Sequence, residues 1–236
     1  MPGAAGCGRA GFGSAWQGWA RLGKARQGLA AVGAAGKAKA MKRISVTIEG
    51  ITPLLMNRFT EEASIQIDNG SSSVFRGDKE GTPREQAEMT AYRDTEGELY
   101  IPGPNMFSAL VEAGKFQKAG KSKLTTLKTS LVPGAVMLEE IVLPLGTKDF
   151  EVDSRAIVNP STGGRRTKHR ARLNHWRLTF TLAVDTDTLS VKQVRRLVDD
   201  AGKRCGLGDY RASRKGPFGR FEVVNWEAEP VAQAAE

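Results

Sequence analysis

The chain has few of the residues that build redox, metal and hydrolytic centres. Only two cysteines, Cys7 and Cys205, are spread over its 236 residues. No disulfide framework or zinc spacing can be drawn from them, and a reducing, intracellular, cytoplasmic setting is expected. Histidine is equally scarce, with His169 and His175 alone. Asp68, Asp78 and Asp94 fall in separate polar stretches without metal-ligand spacing, so no metal and no other cofactor is expected. No apolar run reaches the roughly 18 residues that span a bilayer, so no membrane partner is expected.

Acidic residues are absent from positions 1–40, which are mostly Gly and Ala with six scattered Lys and Arg. A weak helix is conceivable from Trp16 to Val32, but Gly18, Gly23 and Gly28 would each cost about 1 kcal/mol against Ala. Three readings stand for this segment: a disordered basic arm, a transit-type peptide, or upstream sequence read from a start placed too early. Met41-Lys-Arg-Ile reads as a natural beginning. The expected organisation is therefore a tail over 1–40, a single domain over 41–229, and a polar tail over 230–236.

The charge of the expected domain is segregated. The whole chain carries +9, but six of those positive charges lie in the tail, leaving +3 for residues 41–236. Arg155, Arg165, Arg166, Lys168, Arg170 and Arg172 form one window without an acid. Lys203, Arg204, Arg211, Arg214, Lys215 and Arg220 form a second, with Asp209 alone against them. The two windows carry +11, so the remainder of 41–236 carries −8. A basic stripe on an acidic body is the footprint of a polyanion site; the bland reading is a solvated surface.

Periodicity gives the elements. Ile44, Val46 and Ile48 alternate with Ser45 and Thr47, which is the pattern of a half-buried strand. Polar residues from Thr60 to Gly81 predict a long excursion. Thr82-Pro83-Arg84-Glu85 is a capping box that opens a helix. Leu99–Ile101 predicts a short strand, Pro104 a helix running to about Gly120, and Val136–Leu145 and Phe150–Val158 two more strands. Trp176–Val184 alternates cleanly, Ser190 caps a helix with a Val194, Leu197, Val198 stripe, and Phe218–Trp226 reads as a final strand. The order predicts an α+β fold: a ferredoxin-like (RRM-like) antiparallel sheet with helices on one face and long loop insertions. Arg43–Glu49, Trp176–Val184 and Phe218–Trp226 should share that sheet, with Val46, Ile48, Leu110, Phe180, Leu182, Leu197 and Val223 buried. Aromatics are 7% of the chain, and no aromatic platform of the RNA-recognition type is visible on its strands.

The densest local signal joins the last helix to the last strand. Gly206, Gly208, Gly216 and Gly219 interleave with Tyr210, Arg211, Arg214, Lys215 and Arg220. Glycine permits positive φ and close backbone approach, so amides of this loop are expected to face an anion. The arginines would add charge, and Tyr210 could stack on a base. The bland reading is a loop that is glycine-rich for tight helix–strand packing. A nucleotide-cofactor loop is excluded, because dinucleotide loops follow a strand and open a helix, and the Lys-Ser/Thr ending of the Walker pattern is missing.

With its glycine-rich loop, the segment Leu99-Tyr-Ile-Pro-Gly-Pro-Asn-Met-Phe-Ser-Ala-Leu-Val-Glu-Ala-Gly114, and the opening Gly50-Ile-Thr-Pro-Leu-Leu, the chain resembles the RAMP superfamily. These are the ferredoxin-like RNA-binding proteins of CRISPR effector complexes, and a phage or mobile-element relative would look alike. Where such helices often carry an early Lys or Arg, this one has Phe107 and Ser108. The resemblance implies non-catalytic binding of a crRNA-like single strand by a subunit that stacks along it, as a homo-oligomer or within a multi-subunit complex. The partner is then single-stranded RNA or DNA.

Arg165, Arg166, Lys168, Arg170 and Arg172 are expected on a loop or hairpin arm over that ligand, each phosphate contact adding a salt-dependent increment. One alternative is a histidine-dependent endoribonuclease of the same superfamily, with His169 assisted by Tyr210 or Lys215. A histidine among cations has its protonated form disfavoured, and no catalytic residue is assigned. The other alternative is a phage structural or assembly protein, whose basic stripe would meet an acidic neighbour.

Overall fold

A computed structural model describes residues 41–59, 81–158 and 163–230. The expectations for 1–40, for the excursion between Thr60 and Glu80, and for 231–236 lie outside these residues. Contacts divide the chain into Met1–Gly36 and Lys37–Glu236, and the second unit is described here.

Its elements are β1 (Met41–Gly50), β2 (Leu54–Leu55), α1 (Pro83–Thr90), β3 (Tyr100–Pro102), α2 (Gly103–Ala113), β4 (Lys118–Ala119), β5 (Ser122–Lys123), α3 (Val132–Ala135), β6 (Val136–Leu138), β7 (Val142–Pro144), β8 (Glu151–Val158), β9 (Arg165–Leu173), β10 (Arg177–Asp185), α4 (Val191–Asp200) and β11 (Phe221–Pro230). The fold is α+β. A four-stranded sheet has the order β11-β1-β10-β6, with every neighbour antiparallel. A second sheet has the order β2-β9-β8, and β3-β7 and β4-β5 form two-stranded pairs.

Alternation decides which face of the large sheet is covered. Ile44, Val46 and Ile48 on β1 lie opposite Leu182, Phe180 and Leu178 on β10, and all six are buried. Met106, Leu110 and Ala113 of α2 and Val194, Leu197 and Val198 of α4 join the same core, so both helices cover this face. Six of the seven expected core residues are buried. Val223 is half-buried and packs against the core from the edge strand β11.

The local start signals act as their chemistry requires. Thr82 accepts from the Glu85 amide while the Glu85 carboxylate accepts from the Thr82 amide, and Ser190 and Gln193 repeat this reciprocal cap at α4. Such caps stabilise a helix by about 1 kcal/mol each.

Two expectations are corrected, and for a third segment one of the two alternatives holds. The helix from Pro104 stops at Ala113 rather than near Gly120: the Gly114 carbonyl accepts the Thr125 amide at 3.1 Å, an approach that leaves no room for a side chain at Gly114, and one 3-10 turn and the β4–β5 hairpin follow. Val136–Leu145 is two strands in different sheets. Its break falls where the Glu140 carboxylate accepts the Thr181 amide at 2.8 Å and the Ile141 carbonyl accepts the Gly103 amide at 2.7 Å. The Arg165–Arg172 window is strand β9, paired with β8 along its length, and so is the arm of a hairpin rather than a loop. Past α4 the chain continues through a π-helical turn, Ala201–Cys205; a Cβ at Gly202 would lie 2.2 Å from the Phe221 carbonyl oxygen of β11.

Candidate nucleic-acid interface

The glycine-rich loop is held by backbone on backbone. A Cβ at Gly208, whose φ is +73°, would stand 2.3 Å from the Leu55 carbonyl oxygen, and one at Gly216 would stand 1.7 Å from that of Tyr210. The loop's amides are largely spent inside the protein. Asp209 donates to Leu55, Gly219 to Pro53, Leu207 to Gly219 and Gly216 to Arg211, and the Arg220 amide donates to Thr52 Oγ1. The expectation that successive amides face an anion is therefore corrected for these positions: the glycines serve close packing, and side chains carry the charge outward.

The same hydrogen bonds seat the loop on the turn after β1. There a Cβ at Gly50 would overlap the Trp176 indole, and Trp176 Nε1 donates to the Thr52 carbonyl at 2.9 Å. Gly50-Ile-Thr-Pro-Leu-Leu and the loop at 206–219 thus form one piece, although far apart in sequence.

A cleft of about 280 Å³ opens beside this piece, lined by Asn57, Tyr92, Asn105, Ser108, Asp209 and Arg211 among others. Asn105 and Ser108 come from the exposed face of α2, Asn57 from the residues after β2, and Gly206, Leu207 and Gly208 from the loop. The glycine-rich loop, the segment at 99–114 and the opening at 50–55 therefore meet beside one polar groove. Asn57, Tyr92, Asn105 and Ser108 escape a search for charge and glycine. The available signal was the polar pair Asn105 and Ser108, spaced i, i+3 on one side of an apolar helix.

The two basic windows meet at this loop. Arg155 of β8 lies over the Phe218 ring at 4.4 Å and pairs with Asp153 at 2.8 Å. Tyr210, with φ +46° and an exposed side chain, tilts against the same Phe218 ring. Arg170 Nε stands 2.8 Å from Asp209 Oδ2; the pair lies outside hydrogen-bond geometry, and neither atom has a hydrogen-bond partner. Arg170 is buried, so it anchors β9 to the loop.

The remaining cations divide by partner. Arg172 pairs with Glu151 and, at 3.7 Å, with Asp153. Lys168 donates to Asn57 Oδ1 at 2.8 Å, tying β9 to the groove's rim. Arg211 donates to Ser213 Oγ and to the Gly208 carbonyl and stands 4.0 Å from Glu112. Arg165, Arg214, Lys215 and Arg220 are exposed; Lys215 adopts φ +62°. The Arg166 side chain lies outside the described set.

Burial pushes the Cys205 thiol up to about 12, so it is not a thiolate at neutral pH. His169 Nδ1 is 2.7 Å from Ser154 Oγ on the facing strand. Among the described residues no group of His, Cys, Asp and Glu is arranged to hold a metal ion, and no helix is long and apolar enough to cross a membrane.

No protein-family model matches the chain, and no curated protein matches it. Among solved structures it is similar to a chain of a cryo-EM structure of the Type III-B Cmr-beta bound to cognate target RNA, with 12% identity and a TM-score of 0.47. The match covers 82% of this chain and 62% of that one, so this chain spans less than two-thirds of that neighbour. A likeness of this size transfers neither fold nor function. What defines the chain is its own geometry: an α+β protein with a polar groove flanked by cationic elements.

Proposed function

We propose that this protein binds single-stranded nucleic acid, RNA in particular, without cutting it, along the groove between the glycine-rich loop, α2 and the basic strand β9. The observation that carries this reading is convergence. Four separate segments, at Asn57, at Tyr92, at Asn105 with Ser108, and at Asp209 with Arg211, supply the polar lining, and both basic windows reach the same loop. Phosphates would meet Arg165, Arg214, Lys215 and Arg220, a base would stack on Tyr210, and Asn105 and Ser108 would offer neutral hydrogen bonds to sugar or base edges.

The finer fold reading belongs here too. β1, α2, β6, β10, α4 and β11 follow the split βαβ order, and their antiparallel sheet suits a ferredoxin-like core with the second sheet inserted. On this reading the chain is a RAMP-like subunit that lies along a strand, as a homo-oligomer or in a larger complex, in the cytoplasm. The His169–Ser154 pair serves to fix the hairpin.

A salt titration of single-stranded RNA binding tests the proposal. Neutralising Arg211 and Arg214 should weaken binding to any sequence and flatten the log–log salt slope by roughly 0.7 for each phosphate that is no longer neutralised. Unchanged affinity in that double variant overturns the site, and tight binding without salt dependence overturns the phosphate mechanism.

A further inference from the structure

The molecule carries a third cationic surface that the two windows above do not include. Between Glu112 and Glu139 the sequence has five lysines and no acid: Lys115, Lys118, Lys121, Lys123 and Lys128. Lys115 pairs with Glu112 at 3.7 Å, Lys121 lies between β4 and β5, and Lys118 on β4 lies directly opposite Lys123 on β5. Both are exposed, and neither has an acidic partner among the described residues. Like charges directly opposite on paired strands are destabilising, so the hairpin holds an arrangement that a polyanion would relieve.

A cavity of about 550 Å³ adjoins it, lined by Phe116, Gln117, Lys118, Arg196, Asp200 and Lys203 among others. Its two nearest acids are already engaged: Asp199 pairs with Arg195, and Asp200 pairs with Arg204 and accepts from Gln117 Nε2. Lys118, Arg196 and Lys203 are left without an ion pair among the described residues. Phe116 keeps 46% of its surface exposed, and the Arg204 guanidinium lies over its ring at 4.7 Å.

We infer that this surface, built from Phe116, the β4–β5 lysines and the outer side of α4, is a second binding site for single-stranded nucleic acid. Lysines supply phosphate contacts, and Phe116 supplies a stacking plane already braced by a guanidinium. The inference rests on the ligand class proposed above but uses different residues. A continuous strand, or a second strand beside the first, would occupy it.

The test is cross-linking of the full chain to a mixed-sequence single-stranded RNA carrying 4-thiouridine, with the attached peptides mapped. The expected result is a cross-link in the peptide holding Phe116. K118A/K123A should abolish it and lower the log–log salt slope by about 1.4 for two phosphates no longer neutralised. R211A/R214A should leave it in place. A cross-link at Tyr210 with none at Phe116 overturns this inference and spares the groove; no cross-link at either overturns both. The rival ligand is an anionic bilayer, which would take up the fully exposed Leu127. If K118A/K123A and L127A lower capture by phosphatidylserine vesicles while the RNA cross-links persist unchanged, the surface is a membrane contact and the inference falls. K123E gives an independent reading, because it converts the cross-strand repulsion into a pair. It should raise the melting temperature of the free protein while weakening RNA binding, and unaltered binding contradicts the site.

Discussion

The charge pattern of the sequence puts Arg170 among the ligand contacts, yet its geometry is that of an anchor, and a double-mutant cycle separates the two roles. The residue is 8% exposed, and its Nε has no hydrogen-bond partner, so its charge is compensated mainly by Asp209 at 2.8 Å. Removing one member of a buried pair strands the other and costs about 3–5 kcal/mol. The Asp209 side chain keeps 29% of its surface exposed, which places R170M at the lower end, about 3 kcal/mol. For a chain of this size each kcal/mol moves the midpoint by about 2–4 °C, so thermal unfolding should shift by about 6–12 °C. Replacing both residues, R170M with D209N, removes the uncompensated charge and should recover most of that loss. RNA binding should follow stability, impaired in the single variant and largely restored in the double, since the loop regains its seat. A shift below about 2 °C for R170M would show that the pair contributes no more than a surface bridge. A double variant that regains stability but not RNA binding would show that Arg170 touches phosphate after all.

Other outcomes follow from the same geometry. G208V should lower the melting temperature and not merely affinity, because a side chain there meets the Leu55 carbonyl at a positive φ; full stability with normal binding would show that the loop has another seat. Y210A should cost about 1–3 kcal/mol of RNA affinity through the missing stacking plane while leaving the salt slope unchanged. Hydrogen bonds hold Glu88 to Arg93, Glu85 to Thr82 and Glu151 to Arg172, keeping all three carboxyls below the usual carboxylate range. Groups with lowered values contribute stability that is present above the ordinary carboxylate value and lost as pH falls through the lowered one. Urea midpoints should therefore be level near neutrality and decline under acid, and E88Q should blunt that decline.

Much of the scaffold was legible because it follows from period and capping chemistry. β1 and β10 alternate without a break, and the Thr82 and Ser190 boxes announce their helices. What could not be read was set by contacts between distant segments. The end of α2 is decided by Thr125 against Gly114, and the split of Val136–Leu145 by the Thr181 amide. The glycine-rich loop is recognisable by composition, but the purpose of its glycines depends on Leu55 and Pro53, and no local pattern reveals that pairing. Charge counting finds two basic windows. It passes over the lysines at 115–128 because they are spread among Gly, Thr and Leu, although the absence of acid from there to Glu139 is the same signal.

The acidic remainder of the chain also has a location with a consequence. The uncovered face of the four-stranded sheet carries Ser45, Thr47, Thr179 and Thr181, the residues that alternate with the core. The Thr47 and Thr179 hydroxyls lie 3.1 Å apart. Its two arginines are matched, Arg43 by Glu139 and Arg177 by Glu49, while Glu222 and Glu227 of β11 lie opposite Glu49 and Ser45. Among the described residues this face therefore has an excess of negative charge and no exposed aromatic ring, the reverse of a sheet that stacks bases. Among the described residues, cations without an ion pair lie elsewhere, among them Arg165 of β9, Arg214, Lys215 and Arg220 of the glycine-rich loop, Lys118 and Lys123 of the β4–β5 hairpin, and Arg196 and Lys203 at α4 and the turn after it. A polyanion is repelled from the open sheet and drawn toward those elements. On the proposed reading, the separation of +11 from −8 in the sequence would steer a strand away from the open sheet and toward the glycine-rich loop.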